Sequence, residues 1–156
     1  MMPGRGLGFT LIEVMVVVAL LSVLLGLGAP AFSRYVANVR LRSTAETVLA
    51  DLQKARTTAI RENSNVTWAA TGSSGAIVIG ASVSDIDGGD ALVFTPFGGT
   101  TLSASAVFSF TNPAAGACHT DEGPVRCLNI IVTTGGRVRL CDPGVSEAND
   151  TRACPS

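Results

Sequence analysis

Three sets of residues in this sequence have types and spacings that could do chemistry. Arg137 and Arg139 lie two apart in GRVR, Cys118, Cys127, Cys141 and Cys154 are the four thiols, and Glu13 sits alone in a long apolar run. Two arginines two apart on a strand share a face with Cα atoms about 6.8 Å apart, close to the spacing of successive phosphates on one DNA strand. Their planar forks of donors suit phosphate better than lysine would. Outward charge on an edge strand also deters aggregation, so GRVR has two readings, DNA contact and surface protection. Arg126 and Arg152 are candidate helpers in DNA binding if the cysteines bring them near. The thiols allow three pairings. Cys118 with Cys127 and Cys141 with Cys154 is favoured, because each closes a short loop rich in turn residues, HTDEGPVR and DPGVSEANDTRA. Each closure stabilises by about 3 kcal/mol in the chain-entropy view.

Other chemistry finds little to work with. No C-x₂₋₄-C spacing accompanies the single histidine, His119, so no metal site is expected. Asp85, Asp87 and Asp90 in SDIDGGD start like a calcium loop but lack the glutamate that would close it, and read as an acidic turn. Without a nucleophile elbow, H-E-x-x-H or P-loop, the chain is expected to be no enzyme and to need no cofactor.

Glu13 leads back to the element that carries it. Residues 9–32, FTLIEVMVVVALLSVLLGLGAPAF, form an apolar run long enough as a helix to span a bilayer core of roughly 30 Å. A carboxylate inside hydrocarbon costs about 2.5 kcal/mol or more and ordinarily has a partner. The preceding residues, MMPGRGLG, supply one, since cleavage between Gly8 and Phe9 creates an α-amino group four residues from Glu13. The arrangement G|FTLIEVMV resembles the N-terminal signal of type IV pilins and type II secretion pseudopilins. That resemblance implies a prepilin peptidase that cuts after Gly8, methylation of Phe9, and pairing of Glu13 with an N-terminal amine, its own or a neighbour's, during filament assembly. A secretory signal cut near Ala29-Pro30-Ala31 is the competing reading, with proline and Glu13 both against it. A permanent single-pass anchor would leave Glu13 without a reason.

Gly26, Gly28 and Pro30 favour a kink or break. Beyond them Leu41, Ala45, Val48, Leu52, Ala55 and Ala59 recur at spacings of four and three, one stripe of an amphipathic helix. Asn63 and Ser64 are helix-stop residues. The period then falls to two, and strands are expected at 66–70, 76–83, 92–95, 106–111, 129–134 and 137–141. Connections this short exclude crossover helices, so the pairing should be mostly antiparallel. Gly135-Gly136 predicts a two-residue hairpin turn, with Val138 and Leu140 facing the core and Arg137 and Arg139 facing out.

ARTTAIRENSNV (55–66), FTPFGG (94–99) and GRVR (136–139) resemble the helix end, the head signature and the GRxR motif of the GspH/FimT class of minor pilins and pseudopilins. In the FimT-type members GRxR binds DNA during natural transformation, which assigns Gly136, Arg137 and Arg139 to non-sequence-specific contact with double-stranded DNA. Charge makes any such contact local: residues 34–63 carry +3, whereas the chain from Ser64 onward carries −4.

The expectation is therefore an α+β, pilin-like chain. Residues 1–8 would be the cleaved leader, 9–32 the transmembrane and filament-core helix, 33–63 its amphipathic continuation, and 64–156 a β-rich periplasmic head with a GRxR hairpin and disulfide loops. The resemblance implies an inner-membrane, single-pass protein that enters a filament tip, with prepilin peptidase and other pilins or pseudopilins as partners. Two functions follow from it: a tip or priming subunit of a type IV pilus that contributes DNA binding, or a purely structural type II secretion pseudopilin.

Overall fold

The computed structural model describes residues 9–69, 77–82, 91–147 and 150–155. The chain divides into two units, Met1–Tyr35 and Val36–Ser156. One helix, α1 (Leu11–Glu62), contributes to both. Thr10 caps it: the Thr10 Oγ1 accepts from the Glu13 backbone N–H at 3.3 Å, which places Glu13 at the third position of the first turn, where a carboxylate meets the helix dipole favourably. Backbone helicity continues through Gly26, Gly28 and Pro30.

In the first unit the apolar side chains point all round the helix. Met15, Val16, Val17 and Val18, successive residues that point to different faces, are all about half exposed or more. A helix apolar on every side is normally surrounded by lipid or other helices. No single described helix is long and apolar enough to cross a membrane by itself, whereas Leu11–Gly26 taken with Ala31–Glu62 is, by length and composition.

The second unit holds the core. Leu41, Ala45, Leu52 and Ala59 of α1 are fully buried, with Val48 and Ala55 packed between them. The helix stops at Asn63, which takes a left-handed φ of 49°, and the Ser64 N–H reaches back to the Ala59 carbonyl at 3.2 Å. That bond satisfies a carbonyl the helix itself cannot, and turns the chain toward the strands.

Among the described residues six strands follow: β1 (Val66–Ala69), β2 (Val78–Ser82), β3 (Ala91–Phe94), β4 (Ala106–Thr111), β5 (Leu128–Val132) and β6 (Val138–Cys141). All pairings between these strands are antiparallel. β1 pairs with β3 in a two-stranded sheet, and β2-β4-β5-β6 form a second sheet with β6 at an edge. Alternate residues face the helix stripe, namely Leu92 and Phe94 from β3, Phe108 and Phe110 from β4, and Ile130 and Val132 from β5. Trp68 of β1 meets Phe108 of β4 edge to face at 5.5 Å between centroids, tying the two sheets together. The fold is α+β, with the amphipathic half of a long N-terminal helix packed on antiparallel sheet.

The expected strand boundaries need correction at one place that matters. Thr133 and Thr134 leave β5 and Arg137 stands outside β6, because the connection is longer than the two-residue turn expected of Gly135-Gly136. Val132 pairs with Val138, and the Gly136 N–H donates to the Thr133 carbonyl at 2.8 Å. Only Gly136 of the two glycines has a positive φ, 73°. This is a three-residue loop, a tight turn followed by one left-handed residue. Residues Asp85, Asp87 and Asp90 lie outside the described residues.

Candidate functional site

The hairpin at 133–137 is held by bonds of its own and by one neighbouring turn. Within it, Thr133 N–H donates to the Arg137 carbonyl at 3.0 Å, and Arg137 N–H donates to the Thr133 hydroxyl at 3.2 Å. Against it lies the turn that follows β3, residues 95–100. Thr100 N–H donates to the Thr134 carbonyl at 2.9 Å, and the Thr100 hydroxyl lies within 3.4 Å of the Thr133 and Thr134 carbonyls. A Cβ added to Gly136 would strike the Gly98 carbonyl, so glycine is required there by the approach as well as by its φ. The same Gly98 carbonyl accepts from Arg56 Nε of α1 at 2.9 Å. Helix, turn and hairpin thus meet at one carbonyl group.

The turn is itself rigid. Gly98 N–H donates to the Thr95 carbonyl and Thr95 N–H to the Gly99 carbonyl, both at 2.9 Å. Gly98 has a φ of 78°, and a Cβ there would lie 2.9 Å from Ile60 Cδ1. Phe94 at the end of β3 is fully buried, while Phe97, three residues later, is 98% exposed.

The arginines divide. Arg137 and Arg139 are both exposed on the side away from Val138 and Leu140, which pack on the core. The Arg137 guanidinium has no side-chain partner among the described residues. Arg139 is partly committed, its Nη2 donating to the Thr151 carbonyl at 2.8 Å and the Ala153 carbonyl at 3.2 Å. Those carbonyls are brought there by the Cys141–Cys154 disulfide, with Cα atoms 4.9 Å apart, and by Asp142 N–H donating to the Arg152 carbonyl at 2.7 Å.

Arg152 is turned to another use. It forms a forked pair with Asp150, Nη2 to Oδ2 at 2.6 Å and Nε to Oδ1 at 3.0 Å. The Arg152 hydrogen bonds hold the Asp150 carboxyl down at about 2, and the same carboxylate raises the guanidinium further. The pair is close to neutral and offers phosphate little. Arg126 is exposed and precedes β5 at the end of the strand away from the hairpin, with its backbone N–H bonded to Asn38 Oδ1 at 2.9 Å. Neither candidate helper is brought beside Arg137.

Cys118 and Cys127 form the other disulfide, with Cα atoms 5.4 Å apart, around a short 3₁₀ turn at His119–Asp121. His119 Nδ1 lies 3.4 Å from the Gly123 carbonyl, and no group of three metal-ligating side chains converges among the described residues. Gly8 lies outside the described residues, and Phe9 is exposed just before the Thr10 cap. Two features escaped the sequence reading. FTPFGG does not say which phenylalanine points out, although the strand period ending at Phe94 is the signal that could have. Nothing local to Arg139 announces its carbonyl partners, which stand 12 and 14 residues on.

The prokaryotic N-terminal methylation motif matches residues 5–29. The family described as type II transport protein GspH matches residues 44–153. Among solved structures, the type IV minor pilin FimU of Pseudomonas aeruginosa is similar at 20% identity and a TM-score of 0.45, over 64% of this chain and 90% of that one. No curated protein matches. The match over 44–153, from within the amphipathic helix to the residue before Cys154, behind a methylation-type N-terminus, means that this chain belongs to the GspH family of minor pilins and pseudopilins, a structural and non-enzymatic class.

Proposed function

We propose that the chain is a minor pilin of the tip or priming complex of a type IV pilus and that it contributes non-sequence-specific binding of double-stranded DNA through Arg137 and Arg139. In this reading prepilin peptidase removes residues 1–8 after Gly8, Phe9 is methylated, and residues 9–32 hold the subunit as a single-pass inner-membrane protein. Residues 33–63 continue the helix into a periplasmic head, and Glu13 pairs with an N-terminal amine among neighbouring pilins during assembly. The observation that carries the DNA reading is Arg137, exposed on a braced hairpin and without a side-chain partner among the described residues, beside an Arg139 that shares its face. Gly136 contributes by letting the hairpin sit tight against the 95–100 turn.

The test is duplex binding by the full chain in nonionic detergent across a salt series, beside an Arg137→Ala/Arg139→Ala double variant. Two phosphate contacts give a log–log salt slope near −1.8, and one contact about half that. Salt-sensitive binding lost in the folded double variant supports the reading; binding indifferent to the variant refutes it. One observation favours a second function, a structural pseudopilin of type II secretion. Arg139 spends donors on Thr151 and Ala153, and Arg152 on Asp150, as a head built for packing would use them.

A further inference from the structure

We infer that Phe97 is a stacking platform for an unpaired DNA base, so that the Arg137 surface holds single-stranded or frayed DNA more tightly than duplex. The inference rests on the DNA reading above and adds a residue and a substrate preference to it. Its starting point is exposure: Phe97 is 98% accessible, although burying so large an apolar side chain would stabilise the fold. Flexibility does not account for that, because the residue sits in a turn closed by two backbone hydrogen bonds and pinned beneath by Arg56 and Ile60.

The turn also fixes where Phe97 stands relative to the arginine. A Cβ imagined on Gly136 would lie 3.2 Å from the Gly99 Cα, so the two loops touch, with Phe97 two residues from the contact on one side and Arg137 one residue from it on the other. An aromatic side chain on a fixed turn, in the loop next to one that carries a guanidinium with open donors, has the elements that single-strand binders use, stacking a base while a cation holds its phosphate. Arg56, under the Gly98 carbonyl, adds a second positive charge to the same locus. The cations at this locus suit a phosphate strand, and half-exposed Ile60 lies against the Gly98 backbone of the same turn. Duplex DNA cannot use the ring, since its bases are already stacked and only its backbone reaches Arg137 and Arg139.

The experiment compares binding of oligothymidylate and of a duplex by the full chain in nonionic detergent. It uses the unaltered protein, Phe97→Ala, Phe97→Trp and the Arg137→Ala/Arg139→Ala variant. Phe97 touches nothing that holds the fold, so its variants should remain folded. Phe97→Ala is expected to weaken oligothymidylate binding about tenfold and to leave duplex binding within about twofold. Phe97→Trp should retain binding, and its added emission should be quenched by oligothymidylate. Unchanged oligothymidylate affinity in Phe97→Ala, with both DNAs still lost in the arginine variant, overturns this inference and leaves the DNA reading standing. Equal weakening on both DNAs overturns it too. Absence of binding to either DNA by the unaltered protein removes the DNA reading and the inference with it.

Discussion

Substituting the two hairpin glycines one at a time separates the loop described here from the turn that its sequence suggests. Gly136→Ala puts a methyl group at a φ of 73° and against the Gly98 carbonyl, whereas a Cβ on Gly135 meets nothing within 4 Å. A left-handed alanine costs about 1–2 kcal/mol. Moving the hairpin to relieve the clash strains the Thr100 N–H bond to Thr134, worth about 1 kcal/mol, and the Gly98 carbonyl's place under Arg56. The sum is about 2–4 kcal/mol for Gly136→Ala. For Gly135→Ala it is near zero, or a gain of about 0.4–1 kcal/mol from a stiffer unfolded chain. The assay is urea unfolding of residues 36–156, the unit that contains the whole buried cluster, with disulfides intact and Trp68 fluorescence as the probe. With m about 1.5 kcal/mol/M, the Gly136 variant should lose about 2 M in midpoint while the Gly135 variant stays in place. Equal losses would mean that both glycines need positive φ, as in a two-residue turn, and would refute the three-residue loop and its contact with Gly98.

Three other outcomes are expected. Glu13→Ala should leave leader cleavage largely intact but impair incorporation into filaments, and normal co-assembly measured on sheared filaments would remove the pairing role. Asp150, held at about 2 instead of 3.8 by Arg152, should titrate with that low midpoint by NMR. Its contribution to stability is then present in full above about pH 3.8 and is lost as pH falls through about 2, whereas a midpoint near 3.8 would mean that the pair does not form in solution. Cys141→Ser/Cys154→Ser should cost about 3 kcal/mol of unfolding free energy and release the carbonyls that Arg139 holds; an unchanged urea midpoint would show the bridge to be idle.

The helix stripe was legible because its period is physical: Leu41, Ala45, Leu52 and Ala59 are buried for the same geometric reason that makes them recur at threes and fours. The strands were legible from their alternation, and their partners from short connections that leave only antiparallel neighbours. Asn63 ended the helix through its tolerance of a left-handed φ. What stayed hidden depended on contacts distant in sequence. Two adjacent glycines permit more than one turn, and the choice between them is made by Gly98, 38 positions from Gly136, which no local pattern reports. Arg139 and Arg152 looked equivalent to Arg137 as charges until their carbonyl and carboxylate partners were placed. The arginine face itself followed from alternation, since a residue next to core-facing Val138 must point away from the core.

The bond from Asp142 N–H to the Arg152 carbonyl, with the Asp142 to Ala153 bridge beside it, lays residues 152–153 alongside the end of β6. During synthesis that neighbour arrives late, because Cys154 follows Cys141 by 13 positions. For that interval the end of this edge strand is bare and able to recruit another chain's strand. Because the cysteines bond in sequential order, each bridge can close as soon as its second thiol emerges, with no wrong partner to be undone. Prompt closure of the Cys141–Cys154 bridge would therefore limit such recruitment, and a chain lacking residues 150–154 should aggregate before it loses its core.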